Sequence, residues 1–246
     1  MGRRPNPLPR YYRWKSNLLQ APFFFLMTAL CGSLALAASL FDRRGRVQHR
    51  IARLWARISV CCSWSPLTVE GAENLRKCPV AVYASNHTSY MDVPVLFANL
   101  PFQFRIMAKK ELWRLPFIGW YLERSGQMAI DTENQQMTRS SLGAAVKTLR
   151  AGMPLCVFPE GRRTLDGELN PFLSGAAYLA IRAQVPLVPI ALVGVFDLLP
   201  MHTHHFYPGK LAMRVGEPIE TAGMSVRQVA ELTARLRAAI VELLAR

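Results

Sequence analysis

Residues 80–92 read VAVYASNHTSYMD. The first six are apolar or small, with β-branched and aromatic side chains at Val80, Val82 and Tyr83, the make-up of a short buried strand. The run ends in polar residues, and Ser89 followed three places later by Asp92 has the spacing of a helix start. A strand that passes straight into a helix is the repeating join of an α/β sheet, so this stretch predicts that architecture. It also sets an imidazole, His87, five positions ahead of a carboxylate, Asp92. The pair has two explanations, which stay open at this point. Either Ser89 and Asp92 only cap a helix, or Asp92 orients His87 as a general base.

Working outward, the same alternation continues. LTVEG (67–71), FRIMA (104–108), MAI (128–130), PLCVF (154–158), PLVPIALVG (186–194) and a run from Lys210 to Gly216 also have strand character, while 137–149 and 224–246 carry helical periodicity. Continuous apolar runs such as PLCVF fit strands covered on both faces. The expected fold class is α/β: a mostly parallel or mixed central sheet flanked by helices, with an N-terminal membrane-binding helical segment. The expected division is 1–62 as basic, hydrophobic anchoring helices and 63–246 as the α/β domain.

The N-terminal part supports that division. Of the 246 residues, 51% are apolar, enough for a large core, and the formal net charge is +14. Residues 1–50 hold nine basic side chains against one acid, Asp42, and between the basic clusters residues 18–41 carry no charge at all. That length suits a hydrocarbon core of about 30 Å, and flanking arginines suit anionic headgroups. A spanning helix, a cleaved signal, or a hairpin of two short helices broken near Gly32 and Ser33 would each fit; the basic residues that follow directly make a cleaved signal the poorest match. Residues 47–62 alternate apolar side chains with Arg50, Arg53 and Arg57, as an interfacial helix or a helix packed on the domain would. The five cysteines show neither paired C-x-x-C spacing nor a disulfide framework, which favours a reduced, cytosol-facing domain.

Polar groups in open α/β sheets gather beyond the carboxyl ends of strands. Two strand ends here are rich in them. One delivers Asn86 and His87; the other delivers FPEGRRT (158–164), where Gly161 allows close backbone approach and Arg162 and Arg163 can hold a phosphate. A third basic group, Lys109, Lys110 and Arg114, lies among apolar residues. No G-x-S-x-G elbow or catalytic cysteine setting is present, so a nucleophile activated by His87 would come from the substrate, an alcohol being the natural candidate. His202, His204 and His205 lack the carboxylate or thiol company of a metal site, and no metal is expected.

Taken in order, these segments resemble the 1-acylglycerol-3-phosphate acyltransferase family, the lysophosphatidic acid acyltransferases of the glycerolipid acyltransferase superfamily. The blocks are His87 to Asp92; Lys109, Leu112, Pro116 and Gly119; FPEGRRT; and VPLVPIAL around Pro189. The resemblance implies transfer of a fatty acyl group from acyl-CoA or acyl-carrier protein to the sn-2 hydroxyl of a lysophospholipid acceptor, giving phosphatidic acid for phospholipid synthesis, with no other cofactor. It implies catalytic roles for His87 and Asp92, and substrate binding by Lys109, Glu160, Gly161, Arg162 and Arg163. Membrane lipids become expected partners and nucleic acid does not, with the cytoplasmic face of the inner membrane as location. Three departures bear on the acceptor headgroup: Thr132 stands where relatives carry an arginine, Arg162 where they carry a small threonine, and Leu173–Ser174 where a lysine is common. A different lysophospholipid, or a lyso-ornithine lipid, is therefore an alternative acceptor. A basic membrane or nucleic-acid binder without catalysis is the remaining alternative, though no nucleic-acid motif accompanies the charge.

Overall fold

A computed structural model describes residues 10–42, 44–131, 135–200, 203 and 205–246. The helical elements are α1 (Arg10–Lys15), α2 (Ala21–Ala38), α3 (Arg46–Cys62), α4 (Ala72–Lys77), α5 (Asp92–Asn99), α6 (Ile118–Arg124), α7 (Gln135–Arg150), α8 (Gly175–Ala183), α9 (Val195–Leu198) and α10 (Val229–Ala245). Among the described residues the strands are β1 (Leu67–Glu70), β2 (Val82–Ser85), β3 (Arg105–Lys109), β4 (Met128–Ile130), β5 (Leu155–Val157), β6 (Leu187–Val193) and β7 (Leu211–Val215). Each falls within or against a segment whose residues predict a strand.

These strands form one sheet in the order β1-β7-β6-β2-β5-β3-β4. The five from β6 to β4 run parallel, whereas β7 lies antiparallel to β6 and pairs in parallel with β1. The sheet is therefore mixed, and mainly parallel. Residues in β2, β5 and nearly all of β6 are buried, as strands covered on both faces must be. On one face Ala52, Ala56 and Val60 of α3, Val95 and Leu96 of α5 and Leu122 of α6 pack with Tyr83, Cys156 and Ile190. On the other, Leu149 of α7, Leu179 of α8 and Leu236 and Ile240 of α10 pack with Val82, Ala84 and Leu155. The result is a three-layer helix–sheet–helix stack.

The N-terminal apolar segment differs in one respect from the hairpin considered above. Helix α2 continues unbroken through Gly32 and Ser33, and the chain reverses only after Ala38, re-entering α3 through Gly45 at φ +67°. Gly32 serves contact instead of a turn: a Cβ there would come within 2.9 Å of the Phe117 Cβ. A π-helical turn, Ser16–Gln20, joins α1 to α2. The Gln20 amide donates to the Cys62 carbonyl at 2.7 Å, and the Trp55 indole N–H donates to the Thr28 hydroxyl at 3.0 Å, so α2 is fastened along α3. Its other side exposes Phe25, Leu26, Leu30 and Leu34. Helix α3 packs on the domain, burying Ala52 and Ala56, while Arg46, Arg50 and Arg57 stay exposed.

Candidate active site

Because β2, β5, β3 and β4 are parallel neighbours, their carboxyl ends share one edge of the sheet. Adjacent strands lie about 4.8 Å apart, so the segments that follow β2 and β3 emerge about 10 Å from one another with the β5 turn between them. Residues 86–92 and 158–164 meet there, and 109–114 follows β3 on the same edge.

The loop after β2 is organised around Asp92, which is fully buried. Its Oδ2 accepts from His87 Nδ1 at 2.8 Å, from the Thr88 N–H at 2.6 Å and from the Ser89 N–H at 2.8 Å. Its Oδ1 accepts from the Thr88 hydroxyl at 3.3 Å. Hydrogen bonds to a charged acceptor contribute about 1.5–3 kcal/mol each, so this carboxylate fixes both loop and imidazole. The orienting explanation of Asp92 matches these contacts and the capping one does not: helix α5 begins at Asp92 with Met91 at its N-cap and no side-chain cap, and the carboxylate instead closes the loop N-terminal to the helix. With Nδ1–H directed at a carboxylate, Nε2 is left as the basic nitrogen. It has no hydrogen-bond partner among the described residues, and the His87 side chain keeps 18% of its surface exposed.

Three further contacts lock His87 to the turn after β5. Its N–H donates to Glu160 Oε1 at 2.7 Å, its carbonyl accepts the Thr164 N–H at 3.0 Å, and its ring stacks on Phe158 at 3.9 Å between centroids and 14° between planes. Glu160 is buried, and Oε2 accepts both the N–H and the side-chain amide of Asn170, at 2.8 and 3.0 Å. Burial pushes its carboxyl above the ordinary range against the pull of those donors. Both oxygens of Glu160, a residue expected to bind substrate, accept hydrogen bonds from the chain itself and shape the turn. Gly161 has φ +68°, a backbone conformation that favours glycine; a Cβ there would lie 2.7 Å from Leu173 Cδ1, the tip of an exposed side chain that can turn away. Asn86 exchanges a pair of hydrogen bonds with the Leu192 backbone, at 3.0 and 2.7 Å, securing the base of the loop on β6.

The cations fall into two kinds. Lys110 donates to the buried Asp131 carboxylate, which holds its ammonium above the ordinary lysine range. Lys109 and Arg162 are exposed, and Arg163 is half-buried with its guanidinium carbon 3.8 Å above the Tyr90 ring. None of these three has a carboxylate within ion-pair distance among the described residues. Phe158 and Tyr90 are the site residues that motif reading misses; the only signal for either is its place inside a motif whose polar members draw attention. Thr132, His202 and His204 lie outside the described residues, within which no cluster suited to a metal ion occurs. A separate groove of about 620 Å³, lined in part by Gly216, Arg235 and Leu243, shares no residue with this site.

The family profile described as Acyltransferase matches residues 66–193, which span both polar loops and β6. The chain is 34% identical over 163 residues to the 1-acyl-sn-glycerol-3-phosphate acyltransferase BAT2, chloroplastic, of Brassica napus, covering 65% of this chain and 47% of that protein. It is 29% identical over 233 residues to the 1-acyl-sn-glycerol-3-phosphate acyltransferase of Saccharomyces cerevisiae, covering 92% and 77%. The fold is similar to the crystal structure of the 1-acyl-sn-glycerophosphate (LPA) acyltransferase PlsC from Thermotoga maritima, with a TM-score of 0.77, 25% identity and coverage of 92% and 93%. The chain spans about half the length of the chloroplast and algal relatives it matches.

Proposed function

This chain belongs to the acyltransferase family, and we propose that it moves a fatty acyl group from acyl-CoA or acyl-carrier protein to the sn-2 hydroxyl of 1-acylglycerol-3-phosphate, forming phosphatidic acid. The observation that carries this is the His87 Nδ1 to Asp92 Oδ2 contact of 2.8 Å on the same sheet edge as Arg163, a cation without an acid partner among the described residues. The names of the relatives supply the substrate class.

In the proposed step, His87 Nε2 takes the proton of the acceptor hydroxyl as its oxygen attacks the thioester carbonyl carbon. Asp92 supports the charge that the imidazole gains. The tetrahedral oxyanion collapses, the C–S bond breaks, and the imidazolium returns its proton to the departing sulfur. An ester and a free thiol result, with no acyl-enzyme, metal or further cofactor. Most amides of the two loops are occupied within the chain, including those of His87, Thr88, Ser89, Gly161 and Thr164. Those of Tyr90, Glu160, Arg162 and Arg163 have no acceptor among the described residues, and the donors to the oxyanion come from this set. Removing one such donor costs about 3 kcal/mol.

Membrane attachment belongs to the proposal. Among the described residues one helix, Arg13–Ala38, is long and apolar enough to cross a bilayer, and 11% of its apolar window is buried. Its fastening along α3 favours insertion from one side over a crossing, and the location we propose is the cytoplasmic face of the inner membrane. The acceptor then arrives from the lipid and the donor from the aqueous side.

The test is acyl transfer by the full chain recovered on phospholipid vesicles by flotation, with His87→Ala compared against the wild type. Turnover is expected to fall at least about a hundredfold. Undiminished transfer by the variant would eliminate the base, and a chain that stays out of the vesicle layer would eliminate the anchor. Acylation of a lyso-ornithine lipid but not of lysophosphatidic acid would reassign the acceptor while keeping the chemistry.

A further inference from the structure

The loop from Thr88 to Asp92 turns nearly all its side chains inward: Thr88, Ser89, Met91 and Asp92 are buried. Tyr90 is the exception at 53% exposed. A large ring left in solvent at the rim of a site has no packing reason to be there, and this ring has one specific neighbour, the Arg163 guanidinium. The two residues come from different strand ends, 73 positions apart. The backbone on both sides of the pair is tied, since Ser89 Oγ donates to the Leu199 carbonyl at 2.9 Å and the Thr164 N–H donates to the His87 carbonyl at 3.0 Å. Ring and cation are therefore brought together by fixed supports.

The chemistry of that contact differs from an ion pair. A carboxylate beside Arg163 would hold the side chain but consume its donor edge and cancel its charge, as Asp131 does for Lys110. An aromatic face holds the guanidinium plane by the attraction of its quadrupole for a cation and leaves the N–H fork free. A free, oriented fork is what bidentate recognition of a phosphate needs.

We propose that Tyr90 is a positioning residue for the acceptor: its ring holds the Arg163 guanidinium at the site rim with its N–H donors open, and so sets the preference for a lysolipid bearing an anionic phosphate monoester over a zwitterionic one. This rests on the acyl-transfer function proposed above. Tyr90 touches neither reacting atom; it acts through Arg163.

The test is steady-state kinetics of the full chain on vesicles with lysophosphatidic acid and lysophosphatidylcholine as acceptors. Tyr90→Leu is expected to raise KM for lysophosphatidic acid about two- to fivefold, the range of a partly exposed cation–aromatic contact, with KM for the acyl thioester unchanged. The ratio of kcat/KM between the two acceptors should fall by the same factor. Tyr90→Phe, which keeps the ring, should retain the wild-type acceptor KM, and Arg163→Lys, which loses the planar fork, should match Tyr90→Leu. An unchanged acceptor KM in Tyr90→Leu, an equal rise for donor and acceptor, or a Tyr90→Phe defect as large as that of Tyr90→Leu would each overturn the inference. The last outcome would make the hydroxyl the active group. A wild-type chain that acylates no lysophosphatidic acid overturns the proposed function and the inference with it, whereas an active wild type with an indifferent Tyr90→Leu overturns the inference alone.

Discussion

At the carboxyl end of β2, the buried side chains of Asn86, Thr88, Ser89, Asp92 and Glu160 all have hydrogen-bond partners; where α3 meets the amino end of β3, buried polar atoms do not. In that second region both amide atoms of Gln48, the Nδ1 of His49 and one terminal nitrogen of Arg105 have no partner among the described residues. His49 is held by one hydrogen bond from its Nε2 to the Phe102 carbonyl at 3.1 Å, and otherwise by the rings of Phe97 and Phe104 at 5.3 and 5.2 Å. A buried polar group without a partner costs about 1–3 kcal/mol, whereas a satisfied one costs little. The difference teaches where this fold spends its directional bonds. The proposed proton transfer would require atoms placed to a few tenths of an ångström, and the cross-tied loops supply that order. The seam only has to keep a helix against a sheet, which apolar area and ring packing accomplish without fixed directions.

The largest effect expected from breaking this contrast is at Asp92. Asp92→Asn keeps the size but replaces one acceptor oxygen by an N–H donor facing His87 or the loop amides. Turnover should drop at least about a hundredfold while the acceptor KM changes little, checked by steady-state kinetics beside the melting temperature. Glu160→Gln is a step smaller. Its amide can satisfy the His87 N–H or the Asn170 donors but not both sets, so stability should fall by about 1–3 kcal/mol in denaturant titration, with turnover reduced through the displaced imidazole.

The smallest effect sharpens the other side of the comparison and is read in pH. Burial, with the Arg53 charge adding to it, pushes His49 down to about 4 from the ordinary 6.5. A group depressed on folding favours its neutral form in the folded chain, so its contribution is complete above pH 6.5, is lost as pH falls from 6.5 to about 4, and is flat below. His49→Phe should remove that part of the pH dependence of the melting temperature and leave the activity profile in place. A pH dependence identical in wild type and variant would show that the seam is wetter than its packing indicates.

Much of the site was legible because the residues that carry charge are the residues that motifs name: His87, Asp92, Glu160 and Arg163 all stand where the sequence places them on strand ends. What escaped notice is what holds them. Phe158 looks like the last apolar residue of a strand until it is found stacked on an imidazole 71 positions earlier. Glu160 looks like a substrate contact until both oxygens are traced to backbone and amide donors. Lys109 and Lys110 are indistinguishable as neighbours in sequence, and only the return of the chain with Asp131 makes one of them neutralised and the other not.

The same division runs through the fold. The sequence by itself determined the strands, because a segment buried on both faces must be apolar throughout, and it determined the apolar N-terminal helix, because no other state satisfies its backbone away from water. It did not determine strand order, the antiparallel placement of β7, or the straight course of α2 through Gly32, where a missing Cβ that could mark a break instead admits Phe117. Local composition reports how much water a residue will meet. Which residue it will meet is settled only when distant segments compete for the same surface, and here that competition set a tyrosine beneath an arginine and a phenylalanine beneath an imidazole.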